Sequence, residues 1–177
     1  MLYHDINQTP TIGEKMEIRF YHLLQQNLQD ALPQIIAMAY GRDMRSVIKC
    51  PDAAMMKSLD QALWSYRADS FLPHATEKDD APENQPIYLT TTDEKPNQAS
   101  LLVLVNGVSS EQVAAYDLCC EIFDGLEQDV VQKNREKWMT YKQAGYELIY
   151  YQQDHHGKWF EKTRHTPEDK TAEKSAS

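Results

Sequence analysis

Leu101–Val105 reads LLVLV, an unbroken run of five branched apolar residues. It is far shorter than the roughly 20 residues a membrane helix needs. With Ser100 it reads as a strand that has no polar face to turn toward water. Such a strand has to be covered on both sides, which points to a parallel sheet lying between layers of helices. The flanking segments agree, because strand-like and helix-like stretches alternate along most of the chain. The fold expected is a three-layer α/β body with a mostly parallel sheet, helices on both faces and a C-terminal antiparallel hairpin.

Glu17–Leu23 (EIRFYHL), Arg45–Cys50 (RSVIKC), Ile87–Thr90 and Asp117–Phe123 (DLCCEIF) read as further strands. Asn27–Tyr40 puts Leu28, Leu32, Ile35, Ile36 and Ala39 on one helical face. Pro33 requires that helix either to start near Asp30 or to kink. Pro51-Asp52 opens a second helix with Met55, Met56, Leu59, Ala62 and Leu63 inward, and Gly125–Ala144 forms the longest. Tyr146–Gln152 and Lys158–Lys162, joined by the turn-like Asp154–Gly157, suit a hairpin. Thr76–Pro86 is polar and proline-punctuated, as surface loops are. The expected organisation is a flexible leader over residues 1–15, one domain over residues 16–162 and a disordered polar tail over residues 163–177.

Eighteen Lys and Arg against 27 Asp and Glu give a net charge of −9, which disfavours gripping a phosphate backbone directly. Three cysteines, Cys50, Cys119 and Cys120, read as buried thiols rather than a disulfide frame. The N-terminus lacks the cationic start and apolar stretch of a secretion signal. A cytoplasmic protein with no membrane partner is expected.

Candidate chemistry is sparse. The six glycines (Gly13, Gly41, Gly107, Gly125, Gly145 and Gly157) are scattered, with neither a G-x-G-x-x-G loop nor a G-K-[ST] sequence to cradle phosphate. Cys119 and Cys120, adjacent on a strand, point to opposite faces and cannot easily share a metal. His74 has no nucleophile and acidic orienter at a recognisable spacing. No cofactor, metal or catalytic residue is expected.

Two places have surface potential. Trp64 and Phe71, at and beyond the end of the second helix, either close the core beneath a loop or form an aromatic patch for another chain. Pro73 and His74 follow them. On the long helix, Arg135 shares a face or its border with Val131, Trp138 and Met139, and Tyr141 continues the stripe. Lys133, Lys137 and Lys142 add positive charge. Arg135 is either an exposed residue paired with Asp129, Glu136 or water, or a guanidinium that takes a carboxylate while its neighbours take an apolar side chain.

Leu59–Ala75, LDQALWSYRADSFLPHA, resembles the corresponding segment of the chi subunit of bacterial DNA polymerase III, an accessory protein of the clamp loader. Phe123–Leu148, FDGLEQDVVQKNREKWMTYKQAGYEL, is similar to the C-terminal helix of that family, where F-x₁₁-R-E-[RK]-[YW]-x₂-Y-[RK]-x-A-G-[FY] recurs. The resemblance runs in order from Glu17 to Leu148. It implies a Rossmann-like fold without its own active site. It further implies that Trp64, Phe71, Pro73 and His74 contact the psi subunit, and that the same surface can engage a DNA-repair helicase. Arg135 matches the family arginine that holds the acidic C-terminal tail of single-stranded DNA-binding protein, with Val131, Trp138, Tyr141 and Lys142 around it; DNA itself is reached only indirectly. Trp138 stands where a tyrosine is usual. Val131 and Met139 occupy positions where the best-known relatives carry lysines, and Asp124 replaces an apolar residue, so the tail contact is expected to be weaker or more apolar. Two rival readings are a degenerate nucleotide-binding enzyme with its site at the carboxyl edge of the sheet, and direct single-stranded DNA binding through the basic half of the long helix.

Overall fold

The computed structural model describes residues 16–167. Eight strands form one sheet: β1 (Glu17–Leu23), β2 (Ser46–Lys49), β3 (His74–Ala75), β4 (Ile87–Thr90), β5 (Leu101–Val105), β6 (Leu118–Asp124), β7 (Glu147–Gln153) and β8 (Trp159–His165). Their spatial order is β3-β4-β2-β5-β6-β1-β7-β8, parallel throughout except for β8, which runs antiparallel to β7. All five residues of LLVLV are buried, as a strand covered on both faces requires.

Three helices cover the sheet: α1 (Leu28–Tyr40), α2 (Ala53–Trp64) and α3 (Gln128–Gln143). From β1 through α1 and α2 the chain steps toward one edge of the sheet; from β6 through α3 to β7 it steps toward the other. Right-handed crossovers running in opposite directions put their helices on opposite faces. Two cores result. Leu32, Ile36, Leu59 and Leu63 pack with Ile48 and Cys120 on the α1–α2 face. Val131 and Tyr141 pack with Phe20, Cys119 and Phe123 on the α3 face. Cys119 and Cys120 therefore do lie on opposite sides of β6.

Polar side chains set the starts of two helices. Asn27 accepts from the Asp30 amide at 2.9 Å and Asp52 from the Met55 amide at 2.8 Å, each supplying an acceptor to an otherwise unpaired donor. The helix does not start near Asp30, the first of the two alternatives for Pro33. α1 begins at Leu28, so Pro33 falls in the second turn, where its ring is buried. It leaves the Gln29 carbonyl without its helical donor. β3 is an additional strand that hydropathy alternation does not mark, two residues long at the sheet edge.

The C-terminal hairpin exists and runs further than expected. Thr163 and Arg164 pair with Tyr150 and Ile149, and His165 with Leu148, so these three residues belong to β8 and not to a polar tail. Their polarity reflects an edge strand, where charged side chains are common. The proposed leader, residues 1–15, lies outside the described residues, as do residues 168–177 of the proposed tail.

Candidate functional site

Trp64 is the last residue of α2 and is 57% exposed; Phe71 is 64% exposed. Their ring centroids are 5.6 Å apart. Core closure here is done by their sequence neighbours Leu63 and Leu72, both buried. Beneath Trp64, at 4.6 Å between ring centroids, lies the buried imidazole of His74. Its Nδ1 donates to the Leu72 carbonyl at 2.6 Å, and its Nε2 stands 3.0 Å from an Asp60 carboxylate oxygen. The Nδ1 hydrogen bond anchors the ring on which the indole rests. Pro73, half-buried, holds the short link between Leu72 and β3. The patch is an aromatic surface supported from below by a buried, hydrogen-bonded imidazole.

On α3, the residues expected around Arg135 divide by helical phase. Val131 and Tyr141 are buried in the second core. Trp138 is half-buried, its ring 5.3 Å from Phe20 and 5.7 Å from Tyr150, centroid to centroid. Arg135, Met139 and Lys142 face outward, with Met139 52% exposed. Arg135 and Lys142 are seven residues apart and share a face. Val131 and Tyr141 therefore set the position of the helix, while Arg135, Trp138, Met139 and Lys142 provide its surface.

Arg135 has no carboxylate partner among the described residues. Glu136 instead accepts from Gln132 at 3.3 Å. The charge of Arg135 is felt by Tyr150 on β7 and His22 on β1. Tyr150 Oη and Gln152 Nε2 approach His22 Nδ1 at 2.9 and 3.1 Å. Because the amide nitrogen donates, Nδ1 accepts. Burial is the main cause of His22's lowered pKa, and Lys162 and Arg135 lower it further, against opposing contributions from the Gly125 backbone and Asp124. Burial likewise pushes the Tyr150 hydroxyl up to about 12.

A polar network underneath α3 is less easily read from the sequence. Glu121, fully buried on β6, accepts from Tyr141 Oη at 2.9 Å and forms an ion pair with Lys137. Lys137 also donates to the Val108 carbonyl at 2.7 Å. Burial raises the Glu121 pKa, and Lys137 opposes the rise. The network ties the middle of α3 to the sheet. Its sequence signal was an acid inside the apolar strand DLCCEIF. His22, Tyr150, Gln152 and Lys162 carried a weaker one, polar alternation at strand ends.

The cysteine thiols make poor nucleophiles: burial pushes Cys50 and Cys120 up to about 12, and raises Cys119 strongly. Among the described residues no three metal-ligating side chains gather at one point, and no helix is long and apolar enough to cross a membrane. A cleft of about 570 Å³ between α1 and α2 is lined mostly by uncharged polar groups, including Gln26, Gln29, Gln34 and Gln61.

Fold and surfaces together define a Rossmann-like α/β protein whose distinctive groups, an aromatic pair and an exposed guanidinium, lie on its outside. Residues 16–149 match the family model for the DNA polymerase III chi subunit, HolC, and the chain belongs to that family. It is 32% identical over 90 residues to the probable DNA polymerase III subunit chi of Rickettsia prowazekii, covering 51% of this chain and 54% of that protein. Against the DNA polymerase III subunit chi of Pseudomonas aeruginosa it is 29% identical over 118 residues, covering 66% of this chain and 78% of the relative. The corresponding Escherichia coli protein is 24% identical over 116 residues, covering 65% and 78%. The chain thus spans about half the length of the Rickettsia relative and more of the other two.

Proposed function

We propose that this protein is a non-catalytic accessory subunit of the DNA polymerase III holoenzyme that acts as a bridge in DNA replication. Trp64, Phe71, Pro73 and His74 take the psi subunit of the clamp loader. Arg135, with Trp138 and Lys142 beside it and Val131 and Tyr141 beneath, takes the C-terminal tail of single-stranded DNA-binding protein. A DNA-repair helicase would compete with psi for the first surface.

The observation that carries this reading is the separation of the two exposed groups. The aromatic pair sits where α2 leads into β3, at one edge of the sheet; Arg135 sits on α3, on the opposite face, over β1 and β7. Five interstrand steps put β3 and β1 about 24 Å apart. Each surface therefore stays open while the other is occupied.

Each contact follows from ordinary chemistry. Exposed tryptophan and phenylalanine offer large area at little conformational cost. A guanidinium without an internal carboxylate can receive a terminal carboxylate bidentately while Trp138 and Met139 receive an apolar side chain. A rigid body joining two modest contacts raises the effective concentration of one partner near the other. The net charge of −9 favours reaching DNA through the coating protein.

Fluorescence anisotropy with a labelled tail peptide of the host's single-stranded DNA-binding protein tests the second surface. The wild type should bind, and Arg135→Ala should weaken binding about tenfold or more. A wild-type protein with no affinity for the peptide would remove the tail-binding half of the proposal.

A further inference from the structure

The β7–β8 hairpin sorts its charges by face. On the α1–α2 side, Arg164 pairs with Glu161 and Glu147, so that side of β8 is internally satisfied. On the α3 side the register sets Phe160 opposite Gln152 and Thr163 opposite Tyr150, with a bulge that leaves Lys162 between paired positions. Gln152 and Tyr150 are the two side chains bonded to His22, and Tyr150 packs on Trp138. Hydrogen bonds and ring contacts therefore connect β8 to the Arg135 face of α3. Lys162 is exposed and has no carboxylate partner among the described residues. Asp124, whose charge also acts on His22, accepts from the Leu126 amide at 2.9 Å. Phe160 is 44% exposed beside Lys162. The charges of Lys162 and Arg135 both act on the same imidazole, His22. All of β8 lies beyond residue 149, where the family match ends.

We infer that the C-terminal hairpin extends the Arg135 surface with a second subsite, where Lys162 receives a side-chain carboxylate of an acidic peptide and Phe160 covers its apolar flank. The inference rests on the tail-binding reading above: Arg135 holds the peptide's terminal carboxylate, and Lys162 holds an acid upstream of it. Charge complementarity selects the occupant, since two cations without a carboxylate partner among the described residues lie on one surface of an otherwise acidic protein.

A labelled synthetic peptide with a run of aspartates ahead of a C-terminal phenylalanine separates the two subsites. It is compared with a version carrying serines for the aspartates and with one whose terminus is an amide. Lys162→Ala should weaken binding of the aspartate peptide about fivefold, the upper range for an exposed ion pair, and leave the serine peptide unchanged. Lys162→Arg should restore the preference, and Phe160→Ser should weaken both peptides. Arg135→Ala should instead abolish the distinction between free carboxylate and amide. If Lys162→Ala binds the aspartate peptide like wild type while Arg135→Ala still loses the carboxylate preference, the second subsite is refuted and the tail reading stands. If wild type binds neither peptide, both are refuted. Thermal melts of the surface variants should match wild type.

Discussion

The indole of Trp64 lies over the imidazole of His74 with 4.6 Å between ring centroids, the first 57% exposed and the second buried. Stability and binding are thereby assigned to different residues of one patch. Removing either exposed ring, by Trp64→Ala or Phe71→Ala, should cost less than about 1 kcal/mol in urea unfolding. His74→Ala, which strips a donor from the Leu72 carbonyl and empties a buried site, should cost about 1–3 kcal/mol. Equal losses in all three variants would mean that the aromatic pair belongs to the core.

Gly125 is held to glycine by close approach. A methyl group there would overlap the His22 ring and the Leu23 carbonyl oxygen, and the backbone oxygen cannot move aside without disturbing β1. Gly125→Ala should lower stability by about 2 kcal/mol or more, measured by chemical denaturation. An unchanged midpoint would contradict the packing described at the end of β6.

Lys137 and Glu121 should behave as a buried pair. Lys137→Met leaves the Glu121 carboxylate without its cation and should cost about 3 kcal/mol at neutral pH. Because burial already raises the Glu121 pKa, its native form is protonated more readily than its unfolded form. Its contribution is therefore full at low pH and declines as pH rises from the unfolded value of 4.5 through the native one. The Lys137→Met deficit should accordingly shrink in mildly acidic buffer, and Glu121→Gln in the same chain should recover part of it. A pH-independent deficit would exclude the carboxylate as its cause.

His22 gives the opposite sign. Its native pKa lies below 6.5, so the unfolded chain takes up the proton first as pH falls. The stability it contributes is complete above 6.5 and is lost as pH drops from there through the native pKa. Wild type should lose more melting temperature across that window than His22→Gln. By NMR titration, Arg135→Ala and Lys162→Ala should each raise the His22 pKa, because each removes a cation that lowers it. An unmoved titration in both variants would separate these cations from the end of β1.

Much of this architecture is carried by local pattern. Ile87–Thr90 and the LLVLV core of the central strand stand where alternation and apolar runs put them, because those strands owe their burial to their own side chains. β3 and the last residues of β8 owe theirs to neighbours, so His74–Ala75 and Thr163–His165 carry no signal until the sheet assembles. The two surfaces divide in the same way. Helical phase groups Val131, Arg135, Trp138 and Tyr141 on one stripe, but only the packed structure separates buried Val131 and Tyr141 from exposed Arg135. The ion pair of Glu121 with Lys137 joins residues sixteen positions apart on a strand and a helix, and depends on where α3 lands on the sheet.

The bridging claim is tested most directly by sedimentation velocity on mixtures of the protein, its host's psi subunit and single-stranded DNA-binding protein. The account expects a three-component complex in which neither partner weakens the other; Trp64→Ala should release only psi and Arg135→Ala only the DNA-binding protein. Mutual exclusion of the two partners, or loss of both in either variant, would contradict it.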